Sequence, residues 1–226
     1  MIVEAEPEPV EIEVLKTAVL VVDMQNAFVR QGGYFDMIGH DITATGRIIS
    51  PCQKIISTAR QKGIKIIYLQ MVYSPEWIDT VEPYSPVWHK SKVLSLMRQH
   101  PEFRNKLPIY GTWGASIIEE LAPQQGDIVV LKQKHDGFVG TELDNILRSN
   151  NIRYLIFTGT ATNICVESTL RHAFSLDYFA ILIADAVSQI GSNTNQEATI
   201  FNVRSAFGWV TTSEMLLKAI ENIRNP

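Results

Sequence analysis

Thr17-Ala-Val-Leu-Val-Val-Asp23 decides the fold. The run is apolar without alternation, so an extended chain of this composition must bury both faces, which is the pattern of a strand inside a parallel sheet. It stops at an acid. A carboxylate at the end of a buried strand costs desolvation energy unless something requires it there, so Asp23 is a candidate site residue. Comparable runs follow at 65–70, 127–132, 154–158 and 180–183, the last leading to Asp185, and a short one at 208–211. Helical periodicity is expected between them: over 43–61, with Ser50-Pro51 as N-cap and first residue of a restart, then at 92–99, 115–121, after a cap at Thr141 with Asp144 three residues on and Leu143, Ile146 and Leu147 inward, at 166–176, 195–206 and 213–222. Strands alternating with helices predict βαβ crossovers. The expected fold is a three-layer α/β architecture, a six-stranded mostly parallel, Rossmann-like sheet with helices on both faces. Residues 1–14 read as a loose arm or edge extension and 15–226 as one domain.

The bulk composition narrows the function. The 226 residues are 46% hydrophobic and 19% charged with a formal net charge of −4, which disfavours nucleic acid and anionic membranes as partners and leaves a small molecule. No run approaches the length of a membrane span, and the acidic, proline-bearing start is unlike a signal peptide. Two cysteines, Cys52 and Cys165, form no disulfide framework, so a cytoplasmic protein is expected.

In open α/β sheets ligands bind beyond the carboxyl ends of the strands. Three such ends carry Asp23, Lys132 and, in Thr158-Gly-Thr-Ala-Thr-Asn-Ile-Cys-Val-Glu-Ser168, Cys165. A cysteine in a tight turn at a helix N-terminus meets free N–H groups and the positive end of the helix dipole, which favour the thiolate. A thiol, an acid and a cation in one cleft suit acyl transfer: Cys165 attacks, Asp23 moves the proton, and Lys132 keeps Asp23 ionised. The bland readings stand beside this one. Cys165 alone reads equally as a small buried residue, Asp23 and Lys132 as a structural ion pair, and Cys52 as core. His135, just after Lys132, lines the cleft or is a solvated loop residue, and in a Cys–His dyad it rivals Asp23 as base. The five histidines lack zinc spacing, and no dinucleotide or triphosphate loop occurs, so neither metal nor cofactor is expected. The aromatic, proline-rich stretch at 71–90, with Trp77, Tyr84, Trp88 and His89, is too long for filler and reads as a substrate lid or a subunit contact.

Val21-Val-Asp-Met-Gln-Asn26, Lys132 followed by Phe138-Val-Gly-Thr-Glu-Leu143, and Thr158 through Val166 together resemble the isochorismatase-like cysteine hydrolases. The resemblance runs from Thr17 to the last helix. It implies Asp23, Lys132 and Cys165 as a catalytic triad, a cis peptide between Thr160 and Ala161, and an oxyanion held by the N–H groups of Ala161 and Cys165. Gln31-Gly-Gly-Tyr34, His89-Lys-Ser91, Met97-Arg-Gln99, Glu167 to Arg171, Tyr178-Phe179 and Phe207 to Val210 are similar to the ureidoacrylate amidohydrolases within that superfamily. By that analogy Cys165 attacks the carbamoyl carbon of a ureido group, and a water activated by Asp23 frees carbamate from the thioester.

The expected substrate contacts are Asn26, Phe28, Tyr34, Gln70, His89, Lys90, His135 and Gln189, with His89 or Lys90 holding a substrate carboxylate on charge alone. A homo-oligomer is expected. The chain departs from the subfamily at His135-Asp136, where tyrosine and serine are usual, and at Met71-Val72, where asparagine is expected. Those departures leave biuret-like and N-carbamoyl amine substrates open. A silent member that binds a ligand or partner is the alternative from another class. The metal-binding cluster of nicotinamidases has no counterpart, and Cys165 argues against an isochorismatase.

Overall fold

In the computed structural model, which describes residues 1–74 and 83–223, six parallel strands form one sheet. They are β1 (Thr17–Val22), β2 (Lys65–Met71), β3 (Ile128–Lys132), β4 (Tyr154–Thr160), β5 (Phe179–Ser188) and β6 (Trp209–Thr211), in the spatial order β3-β2-β1-β4-β5-β6. Every residue of β1 is buried, as its unalternating composition requires. From β1 the chain steps outward to β2 and β3, then returns beside β1 and steps the other way through β4, β5 and β6. Right-handed crossovers running in opposite directions place helices on opposite faces, which yields the three layers expected from the sequence.

The principal helices are α1 (Ile49–Gln61), α2 (Lys92–Gln99), α3 (Leu143–Ser149), α4 (Glu167–Ser175), α5 (Asn193–Asn202) and α6 (Ser213–Glu221). α1 buries Cys52, Ile55, Ile56 and Ala59 and packs against α6. Asp185, expected at a strand end, lies within β5 and accepts hydrogen bonds from the backbone N–H and hydroxyl of Ser213, fixing the start of α6. Residues 1–14 are tied to the sheet. Ile2–Val3 pairs with Val10–Glu11, and Glu6 and Val210 exchange backbone hydrogen bonds of 2.8 and 2.9 Å, so the arm lines the β6 edge. At the other edge Val129 and Leu131 of β3 are exposed.

The register sets the site. Val22 is level with Leu69 on one side and Gly159 on the other, and Met71 is level with Lys132. The ends of four strands therefore meet at one height, although β2 separates β1 from β3.

Three local expectations are corrected. The 43–61 helix is two pieces, Thr43–Arg47 and α1, and Ser50-Pro51 does not restart it: Pro51 sits inside the first turn of α1, where its missing N–H costs no hydrogen bond. The 115–121 helix is absent except for a 3-10 turn at Glu119–Leu121. Its backbone is committed elsewhere, since Gly114 and Ser116 carbonyls accept from Ala27 and Asn26, and Ile118 N–H donates to Met24. Thr141 receives the N–H of Leu143 from one position outside the helix, and Asp144 binds Arg148 and Tyr178 instead of closing a capping box. The expectation for the aromatic stretch at 71–90 falls partly, with Trp77, outside the described residues.

Gly159 adjoins β1 with φ of +104°, and a Cβ there would lie 2.1 Å from the Val22 carbonyl oxygen. Gly159→Ala should cost at least about 3 kcal/mol through backbone strain and overpacking, lowering Tm by roughly 6–12 °C for a chain of this size. Gly46→Ala, which meets open space, should be neutral or slightly stabilising in the same calorimetric scan.

Candidate active site

β1 and β4 are neighbours whose outgoing connections run in opposite directions, and the crevice at such a point is where an open α/β sheet accepts ligands. Asp23 leaves β1 with φ of +50°, a conformation that costs a non-glycine residue energy unless the surroundings enforce it. They do so here. Its N–H donates to Leu69 O at 2.9 Å and its carbonyl accepts from Gln25 N–H at 2.8 Å. Its Oδ1 accepts from Met71 N–H at 3.1 Å, and its Oδ2 accepts from Lys132 Nζ at 2.8 Å. Lys132 reaches across the end of β2 to make this pair and also donates to Lys134 O at 3.2 Å. Both side chains are buried. Burial opposes the Lys132 charge, but Asp23 and Cys165 outweigh it and hold the ammonium above the ordinary lysine range.

Cys165 follows β4 through Thr160–Ala161, whose peptide is cis. The turn does not match the expected bare helix N-terminus. Thr162–Val166 forms a single π-helical turn ahead of α4, with Ile164 and Val166 N–H groups already bonded to Ala161 O. Burial pushes the Cys165 thiol up, and Lys132 opposes this without overcoming it. That direction runs against the thiolate that the dipole argument suggested.

Asp23, Cys165 and Ala161 face a cavity of about 240 Å³, the size for a small molecule. Among the expected substrate contacts, Phe28, Tyr34, Lys90 and His135 line it. Asn26, Gln70, His89 and Gln189 do not, and each has a hydrogen bond elsewhere. Asn26 donates to Trp113 O, Gln70 to Ala115 O and Gln189 to Asn193 Oδ1, while His89 Nε2 lies 2.6 Å from Pro83 O. Met71 lines the cavity, whereas Val72 and Asp136 do not; Asp136 is 2.6 Å from His172 Nδ1.

Sequence reasoning missed Phe35, His40, Tyr73, Lys92 and Ile190, which complete the wall. Lys92 begins the helix expected at 92–99; the others come from segments without an expected helix or strand, and only the fold brings them to one wall. It also missed Gln25. This wholly buried side chain donates to Met71 O and Ala115 O and accepts from Met71 N–H, each at 2.8 Å, locking the strand end beneath Asp23. An uncharged amide inside a buried hydrophobic run was the available signal. Among the described residues no group of three or more His, Cys, Asp or Glu is placed to hold a metal ion.

A family model described as "Isochorismatase domain" matches residues 17–215. The chain belongs to the isochorismatase family. Within that family it is 44% identical to the ureidoacrylate amidohydrolase RutB of Yersinia enterocolitica, over 97% of this chain and 96% of that one. A crystal structure of a cysteine hydrolase from Pseudomonas syringae pv. phaseolicola superposes with a TM-score of 0.78 at 29% identity, covering 93% of this chain and 94% of the other. An N-carbamoylsarcosine amidase from Thermoplasma acidophilum gives 0.64 at 26% identity, covering 88% and 97%. The family relationship accounts for the shared three-layer fold.

Lys132→Met removes the cation from a carboxylate that stays buried, which should cost about 3–5 kcal/mol at neutral pH, read as a lower urea midpoint with unchanged slope. The double variant with Asp23→Asn should recover part of that loss. Because the folded-state Lys132 value is raised, its stabilisation is complete below the ordinary lysine value and is lost as pH rises through the raised one. Wild type should therefore show an alkaline decline that Lys132→Met lacks.

Proposed function

We propose that this chain is a cysteine-dependent amidohydrolase that cleaves the C–N bond of a ureido or carbamoyl group in a small carboxylate-bearing molecule, with ureidoacrylate as the leading substrate. The observation that carries the reading is that the Cys165 thiol and the Asp23 carboxylate line one small cavity, with the Lys132 ammonium 2.8 Å from that carboxylate. The similarity to ureidoacrylate amidohydrolases supports the choice of substrate.

As Sγ of Cys165 attacks the carbamoyl carbon, its proton passes to Asp23. Asp23 then delivers that proton to the leaving nitrogen, and the C–N bond breaks to leave a carbamoyl thioester. Lys132 balances the Asp23 charge and holds its oxygen in place. The N–H groups of Ala161 and Cys165 are the assigned oxyanion donors. Water then releases carbamate and restores the thiol. Lys90 and Lys92 stand on the cavity wall, where they favour an anionic substrate and supply partners for its carboxylate. Of the two residues considered for that task from the sequence, Lys90 lines the cavity and His89 does not, which supports Lys90.

The free state of both cysteines supports a cytoplasmic setting. The exposed Val129 and Leu131 on an edge strand support self-association.

Purified protein should release the amine product and carbamate-derived ammonia from ureidoacrylate, in preference to biuret and N-carbamoyl amines. Cys165→Ala should lower kcat by at least about 10⁴-fold, the order found when a triad nucleophile is removed, with Tm little changed. Turnover that survives this substitution would rule out the covalent route.

A further inference from the structure

After the first half-reaction the leaving amine departs and a water must reach the thioester from the open side of the cavity. Asp23 is 2% exposed and Lys132 1%, so neither is open to solvent. Nδ1 of His135 is 3.5 Å from Cys165 Sγ, and His135 as a residue is exposed. The histidine stands in an exposed loop, yet the residues on both sides of it are anchored. Before it, Lys134 O accepts from Lys132 Nζ. After it, Asp136 Oδ1 accepts from Phe138 N–H at 2.9 Å, and its Oδ2 lies 2.6 Å from His172 Nδ1 on α4. Gly137 N–H donates to Thr169 Oγ1 at 2.9 Å, and Thr169 in turn donates to Cys165 O at 2.7 Å. The loop is thus fastened to the helix that follows the nucleophile, which fixes the His135 ring relative to Sγ.

We propose that His135 is the general base of thioester hydrolysis, with Asp136 and His172 as positioning residues. The assignment rests on the amidohydrolase reading and divides its proton transfers between two groups. In the resting enzyme Nδ1 faces the thiol. Once the sulfur is acylated it has no S–H to offer, and the Nδ1 lone pair is available to a water entering from solvent. His135 takes one proton from that water as its oxygen bonds to the thioester carbon. The C–S bond breaks, the sulfur keeps the electron pair, and the imidazolium returns the proton to it across the observed contact. The products are carbamic acid and free thiol, and His135 ends neutral as it began.

The groups facing His135 are Lys132 and Lys134 from its own segment, Asp23 from the end of β1, and Cys165. Partial burial and the neighbouring Lys132 charge keep its pKa below the ordinary histidine value, so the neutral base persists into mildly acidic solution.

The test is a rapid-quench experiment with ureidoacrylate, followed by intact-mass analysis and product assay. Wild type should show steady turnover with little adduct. His135→Gln should lose about 10²-fold or more in kcat, give a burst of amine product stoichiometric with enzyme, and accumulate a carbamoyl group on Cys165. Asp23→Asn should give neither burst nor adduct. His172→Gln should show a smaller version of the His135→Gln behaviour. The wild-type rate should fall as pH drops below the ordinary histidine value, a limb that His135→Gln lacks. His135→Gln turning over within twofold of wild type, slowing without adduct, or raising KM alone would overturn the assignment. An inactive wild type would instead overturn the underlying amidohydrolase reading.

Discussion

Everything at the carboxyl edge of the sheet is arranged around the 2.8 Å contact between Lys132 and Asp23. Two charges taken out of water lose solvation that their attraction alone does not restore, so such a pair holds only when its remaining hydrogen-bonding capacity is met. Met71 N–H serves the second carboxylate oxygen, and Lys134 O serves the ammonium. Apolar replacements of similar volume commonly match or exceed the stability of a buried pair. The chain keeps the pair beside a cavity that Asp23 and Cys165 both line.

The layer order and the strand ends were legible because they depend on local composition. An unalternating apolar run such as Thr17 to Val22 has one satisfactory environment, and an acid at its end marks the point where the buried strand stops. The run from Tyr154 likewise declared its strand, though not the π-helical turn that follows it. Partnerships between distant segments were not legible. Residues 115–121 carry helical spacing, but their backbone is claimed by the chain leaving β1, a competition invisible within the segment. Asn26 and Gln70 have the chemistry of substrate ligands and instead fasten loop carbonyls. The dipole argument for a thiolate considered the helix end and not the burial around it, which pushes the thiol the other way.

The site has a dry floor and a wet rim. Floor groups are enclosed and hydrogen-bonded to the sheet's own backbone, so their geometry is as rigid as the sheet. Rim groups lie outside the sheet: His135 comes from the loop after β3, Lys92 from the start of α2 and Lys90 from the short helix before it. The two half-steps proposed for this site suit such a division, since the first would proceed with solvent excluded by the substrate and the second would need solvent admitted.

Gln25 gives this division a further meaning. Its amide stitches the end of β2 to the loop at Ala115 and does not line the cavity. Side chains along the wall are therefore replaceable without disturbing the framework that carries the chemistry. For redesign, the walls at Met71, Phe35 and Ile190 are the interchangeable part of the molecule, and the stitched strand end is the chassis to leave alone.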